Sequence, residues 1–283
     1  MMKMDNLAYY NGTYAPLEEL TLPVLDRAVY FGDGVYEAAY FRNGKPFALG
    51  DHMRRLENSL RMVKIGYPVS GEAELVSIIC GLCERVGGEG IVYWQVSRGT
   101  APRGHVFPDS AVPNLLAWAK RKPLGDIRRP LTLITVPDIR YHMCNVKTLN
   151  LMPNIMAAQS AKDAGCDEAV FVRDGFVTEG AHTNVHIIKD GRIVTHENGS
   201  LILPGTVRGQ LLSICGRLEI GVDERAFTVD EMLSADEVLI TSATSFIKRA
   251  CSLDGHAVGG RAAELYERLA SEYLAMAARE CGE

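Results

Sequence analysis

The amino-acid order predicts an α+β protein of two domains. Three observations carry this. The 283 residues are 47% hydrophobic, enough for one large or two small cores. Short strand-like runs come early in each half and are joined by tight turns, not by helical crossovers. Between the halves lies KRKPLGDIRRP, a charged stretch with two prolines. Residues 1–120 are therefore expected as one domain, 121–130 as a linker and 131–283 as a second domain.

Tyr9-Tyr10 precede Asn11-Gly12, a hairpin signal. Val35–Leu49 repeats that pattern around Arg42-Asn43-Gly44-Lys45. A helix is predicted from about Asp51, as N-cap, to Lys64, with Met53, Leu56, Leu60 and Val63 on one face. A second helix fits Glu72 to Val86, ahead of Gly87-Gly88. Strands fit Ile91–Ser97 and Asn114–Ala119. In the second half, Leu131–Val136 reads as a strand and Asn154–Ala164 as a helix. Hairpins turn at Arg173-Asp174-Gly175 and Lys189-Asp190-Gly191. A helix starts near Thr206, a strand covers Glu237–Thr241, and a long helix runs from about Gly260.

A formal net charge of -5 argues against non-specific nucleic-acid binding. No apolar run is long enough for a transmembrane helix, and the opening MMKMDNLAYYNG lacks a signal-peptide core. Seven scattered cysteines then read as reduced thiols of a cytoplasmic protein. Cys80 and Cys83 form a lone CxxC in a helical stretch and fit core thiols better than a zinc site. His182 and His186 lie four apart in turn and strand, so no metal is expected.

Several residues bear chemistry, each open when taken by itself. Lys147 lies between Val146, Leu149 and Leu151, where a neutral amine could attack an aldehyde; an ordinary snorkelling lysine fits as well. Glu179, before Gly180 and the polar string His182-Thr183-Asn184, could face a ring nitrogen or simply edge a hairpin. Pro204-Gly205 leads into a helix whose first N–H groups at Thr206 and Val207 suit a phosphate, or need only capping. Ser242, Ala243 and Thr244 could add donors, and Arg55 a positive charge. Arg103 and His105, two apart in SRGTAPRGH, could grip a carboxylate or decorate a surface loop. Gly32-Asp33-Gly34 matches no nucleotide-binding motif and reads as a turn between strands that sets up Tyr36.

In this order, the stretches FGDGVYE (31–37), HMRRL (52–56), SRGTAPRGH (97–105), KTLNL (147–151), TEG with Asn184, and TSATS (241–245) resemble the fold-type IV pyridoxal-phosphate aminotransferases. The resemblance spans nearly the whole chain. PRGH looks like the branch that acts on D-amino acids, transferring the amino group to 2-oxo acids by a ping-pong route. It implies a smaller N-terminal α/β domain and a larger C-terminal pseudo-barrel. It makes Lys147 the Schiff-base lysine, pairs Glu179 with the pyridine nitrogen, and gives the phosphate to Arg55, the backbone at Thr206 and Val207, and Ser242-Ala243. Asn184 belongs to the cofactor set and Leu203 packs on the ring. Tyr36, Arg103 and His105 bind the substrate carboxylate, the last two from the partner of a homodimer. Branched-chain L-aminotransferases and aminodeoxychorismate-type lyases share the fold. The lyase branch tends to carry Arg-Gly-Tyr where this chain has Arg103-Gly104-His105. Ala181-His182-Thr183, Tyr141 and Ala243 depart from the family pattern.

Overall fold

A computed structural model describes residues 5–282. They fall into two compact units. The first runs to Leu124 and takes in Val146–Asn150 and the C-terminal segment from Ala277; the second comprises Gly125–Asn145 and Leu151–Met276. Two short pieces expected in the C-terminal domain thus fold with the first unit.

In the first unit, β1 (Asn6–Tyr10) and β2 (Thr13–Ala15) form the hairpin at Asn11-Gly12. Helix α1 (Arg27–Phe31) follows, then β3 (Gly34–Arg42), β4 (Lys45–Pro46), α2 (Leu49–Val63), α3 (Glu72–Val86), β5 (Glu89–Ser97) and β6 (Asn114–Arg121). The sheet order is β2-β1-β6-β5-β3-β4, antiparallel throughout. Its core joins Val35, Ala39, Phe41, Val92 and Trp94 of the strands to Met53, Leu56, Leu60, Ile79 and Leu82 of α2 and α3.

Three local expectations change. Gly32 is the left-handed C-cap of α1 (φ 59°), so the glycine turn joins a helix, not a strand, to β3. A helix this short has too few residues to show a period in the sequence. The N-cap of α2 is Ala48, with Asp51 inside the first turn. β6 continues to Arg121, into the stretch expected as linker.

The second unit is built on a ten-stranded mixed sheet. Its strands are β7 (Leu131–Pro137), β8 (Glu168–Arg173), β9 (Phe176–Gly180), β10 (Asn184–Lys189), β11 (Arg192–Thr195), β12 (Val222–Glu224), β13 (Phe227–Thr228), β14 (Glu237–Ser242), β15 (Phe246–Leu253) and β16 (His256–Ala257). The path is β12-β11-β10-β14-β15-β7-β8-β9-β13, with β16 on β15. This is the larger, curled sheet of the two-domain α+β fold. Hairpins turn at Asp174 and Asp190, both at positive φ, each followed by a glycine. Helices α4 (Met152–Asp163), α5 (Thr206–Arg217), α6 (Val229–Leu233) and α7 (Ala263–Glu280) complete the order; α7 ends in the first unit.

Candidate active site

The site residues form two sets, one in each unit. In the first, the segment around Lys147 lies antiparallel along the start of β3. Tyr36 N donates to Lys147 O (2.9 Å), Leu149 N to Gly34 O (3.1 Å), and Val35 pairs with Thr148. The approach is so close that a Cβ on Gly34 would collide with Val96 O and Leu149. Ser59 Oγ of α2 accepts from Lys147 N at 3.2 Å. Lys147 Nζ stands 4.3 Å from the centre of the Tyr36 ring. The lysine is therefore held by its backbone, and its amine is packed against the expected substrate-binding tyrosine.

On the other face of β3, Glu37 is fully buried against α2. Arg55 donates to it from Nε and Nη2, both at 2.7 Å, and His52 Nδ1 lies 2.7 Å away. Burial alone would raise the carboxyl, but the Arg55 charge and these hydrogen bonds outweigh it and hold Glu37 at about 2. Burial pushes the His52 imidazole below its usual value despite Glu37. Arg55 is thus no solvated side chain of a helix face; its guanidinium plane is fixed by a carboxylate.

Arg103 and His105 sit on the exposed loop after β5. They do not lie in an extended strand, yet they meet on one ring. The Arg103 guanidinium is 5.0 Å and the His105 imidazole 5.3 Å from the centre of Phe31.

In the second unit, Glu179 lies near the end of β9 and is 6% exposed, not a solvated hairpin edge. Its Oε2 accepts from Asn184 Nδ2 (3.0 Å) and from Leu203 N (2.9 Å). Its Oε1 is paired with Arg140 Nη1. Asn184 also donates to Leu203 O at 2.9 Å, tying β10 to the Leu203 turn. Gly205 follows in extended conformation as the N-cap of α5, with no side-chain cap on Thr206 or Val207. A Cβ there would strike Asn184 Oδ1, so the glycine is required by packing. Asn184 pairs with Thr241 across β10 and β14, which puts Ser242 and Ala243 at the next turn. Ser242 Oγ bonds Ser245 Oγ at 2.7 Å.

Sequence reasoning missed Arg140, Glu37 and His52. Arg140 is buried, bonds both oxygens of Asp138 at 2.9 Å, and reaches Thr178 Oγ1 (3.2 Å) besides Glu179. Burial opposes ionisation of Asp138, but Arg140 and Arg173 hold it at about 2. The signal available was an Asp-x-Arg pair shortly before the lysine, in a chain with a buried-looking TEG strand.

The donor set fits pyridoxal phosphate. A lysine amine suits the aldehyde. A fixed carboxylate that accepts its hydrogen bonds suits a protonated ring nitrogen. An uncapped helix start following a glycine suits a phosphate.

The chain is similar to known proteins over nearly its full length. The family described as amino-transferase class IV matches residues 34–253. A D-alanine aminotransferase of Bacillus licheniformis is 38% identical over 259 residues, 89% of this chain and 90% of that protein. One of Listeria monocytogenes is 36% identical over 273 residues, 94% of each chain. Among solved structures, the branched-chain amino acid aminotransferase of Escherichia coli superposes with a TM-score of 0.87 at 20% identity, covering 99% of this chain and 97% of that one, a likeness of fold. A branched-chain amino acid aminotransferase from T.th., solved with pyridoxamine 5′-phosphate, gives 0.85 at 26% identity, covering 96% and 94%. With the matched region spanning both sets of site residues, this chain belongs to the class IV aminotransferases.

Proposed function

We propose that the protein transfers the amino group between D-amino acids, such as D-alanine, and 2-oxo acids, such as 2-oxoglutarate. The observation that carries this is the pair Arg103 and His105, gathered over Phe31 on a surface loop. The D-alanine aminotransferases that resemble the chain over about 90% of its length support it.

The cofactor is pyridoxal 5′-phosphate. When bound, it supplies an electron sink for the charge left when the substrate Cα loses its proton. Glu179, fixed by Arg140, Asn184 and Leu203, would hold the ring nitrogen. Leu203 would pack on the ring. Arg55, the N–H groups of Thr206 and Val207, and Ser242-Ala243 would hold the phosphate. Of these residues, Glu179, Leu203, Thr206, Val207, Ser242 and Ala243 belong to the second unit.

The Arg103 guanidinium grips the donor's carboxylate with parallel N–H groups, His105 adds another donor, and the Tyr36 hydroxyl completes the set. Lys147 Nζ takes the proton from Cα. Because one amine serves one face, the hand of the donor follows from where its carboxylate is held. In the second half of the cycle the same amine returns a proton to Cα of the new amino acid.

The working form is a homodimer in which Arg103 and His105 serve the partner's site. Both are exposed, and Val106 (84% exposed) and Phe107 (53%) beside them offer apolar surface for burial in an assembly. Among the described residues no helix is long and apolar enough to cross a membrane. Among the described residues no cysteine forms a disulfide, which supports a place in the cytoplasm.

The test is pyruvate release from D-alanine with 2-oxoglutarate, beside the same assay with L-leucine as donor and its own oxo-acid product. Turnover of D-alanine but not L-leucine is expected, and Lys147→Ala should remove it by at least about a thousandfold. Turnover of L-leucine alone would assign the branched-chain activity that the solved structures carry.

A further inference from the structure

The loop bearing Arg103 and His105 is exposed, yet its backbone is tied to residues far from it in sequence. Helix α1 holds it. Tyr30 Oη donates to Ala101 O at 2.5 Å. Arg27 Nη1 donates to Gly104 O at 2.7 Å, the carbonyl between the two expected carboxylate ligands. Arg27 itself is buried, with Nε on Asp33 Oδ2 at 2.7 Å. Its guanidinium lies 4.9 Å from the centre of Phe31, the ring shared by Arg103 and His105. A second buried arginine, Arg98, shares Asp33 at 2.9 Å and stacks 3.5 Å from the Phe107 ring, just past His105.

We propose that Arg27 is a positioning residue for substrate recognition: through Gly104 O it fixes the spacing of Arg103 and His105 and so sets affinity for the substrate carboxylate. The proposal rests on Arg103 and His105 being the carboxylate ligands. Two features make Arg27 the element that matters. A guanidinium has separate arms, so one can be spent on Asp33 while another crosses to a main-chain carbonyl; an ammonium on the same stem is a single point. The carbonyl it holds belongs to a glycine with open space where a side chain would otherwise pack and fix the turn. Asp33 is also shared by the two buried guanidinium groups of Arg27 and Arg98.

The experiment compares Arg27→Lys with Arg103→Met and the unchanged protein, each as the cofactor-loaded enzyme. It reads KM and kcat for D-alanine, and the dissociation constant of propionate by calorimetry. Propionate is D-alanine without its amine, so its binding reports the carboxylate grip without turnover. Arg27→Lys keeps the charge beside Asp33 and loses the arm to Gly104 O. It should weaken propionate and raise KM about tenfold, roughly 1.4 kcal/mol, with kcat at saturation within about threefold. The visible cofactor band should be unchanged.

If Arg103→Met weakens propionate and Arg27→Lys does not, the positioning role is overturned and the proposed function stands. A fall in kcat with KM and propionate affinity unaltered overturns it too. If Arg103→Met leaves propionate unaffected, the carboxylate is held elsewhere, and both the residue assignment and this inference fall. Should Arg27→Lys not fold, Arg27→Gln also removes the arm that reaches Gly104 O. It should likewise weaken propionate about tenfold, and unchanged binding in that folded variant overturns the proposal.

Discussion

Arg140→Met is the perturbation that most directly probes the surroundings of Glu179. The guanidinium spans two buried carboxylates, Asp138 and Glu179, whose side chains are 0% and 7% exposed. An ordinary aspartate near 3.8 is here held at about 2, which at 1.36 kcal/mol per pH unit corresponds to roughly 2–3 kcal/mol. Arg173 keeps part of this, because it also pairs with Asp138 at 3.0 Å. Stripping one partner from a buried ion pair costs about 3–5 kcal/mol by general experience, so a loss of about 3 kcal/mol in denaturant unfolding at pH 7 is expected. The pH dependence supplies the sign. Asp138 has a depressed folded value, so its contribution is full above about 3.8 and is lost as pH falls toward about 2. The variant should therefore lose stability mostly at neutral pH and converge on the parent in acid. Cofactor retention, followed by the visible band during dialysis, should weaken because Glu179 loses the guanidinium that fixes its Oε1. A variant within about 0.5 kcal/mol of the parent at pH 7, with unaltered cofactor retention, would refute the view that Arg140 organises Glu179.

Two further perturbations separate packing from chemistry. His186 is fully buried between Thr195 Oγ1 and Thr241 Oγ1, both at 2.9 Å, and burial together with Arg208 lowers it from 6.5 to about 3. Its contribution is complete above 6.5 and falls away toward about 3, so unfolding should cost about 2 kcal/mol less at pH 5 than at pH 7 from this group alone; His186→Gln should flatten that part of the stability–pH curve, and an unchanged slope would assign it to other groups. Gly205→Ala drives a methyl group into Asn184 Oδ1 at the start of α5. Overpacking of about 1–3 kcal/mol and at least about tenfold weaker cofactor binding are expected, read by unfolding and by equilibrium titration with pyridoxal phosphate.

Much of the fold was legible because its signals are local. Asn11-Gly12, Asp174-Gly175 and Asp190-Gly191 mark their hairpins directly, and the spacing of Met53, Leu56 and Leu60 marks α2. What escaped depends on tertiary contact. α1 is five residues long and has no apolar period of its own. It exists because Asp26 caps it and Gly32 closes it, and because its side chains meet the loop after β5. The lysine, the glutamate and the Arg–Gly–His triplet could be named from motif and order. Their supports could not, since Arg55 finds Glu37 across 18 residues and Arg140 finds Glu179 across 39. Charge pairs at such separations leave no periodic trace.

The short motif at the start of β3 shows why packing and chemistry are inseparable here. A strand sends successive side chains to opposite faces. Tyr36 therefore goes to the side of Lys147 Nζ and stacks on Tyr93, with ring centres 5.5 Å apart. Glu37, the next residue, goes to the helix side and takes Arg55 and His52. One residue before Tyr36, Val35 pairs with Thr148 and lies in the core. Gly34 is bare so that the KTLNL segment can lie against the strand at all. A one-residue slip in the pairing of β3 with β5 would exchange the faces, bury the tyrosine hydroxyl against α2 and expose the carboxylate. The nine-residue register from Gly34–Ser97 to Arg42–Glu89 forbids that slip. The same ladder that stabilises the first unit thus decides which side of the strand sets Tyr36 beside Lys147 and which side anchors the arginine.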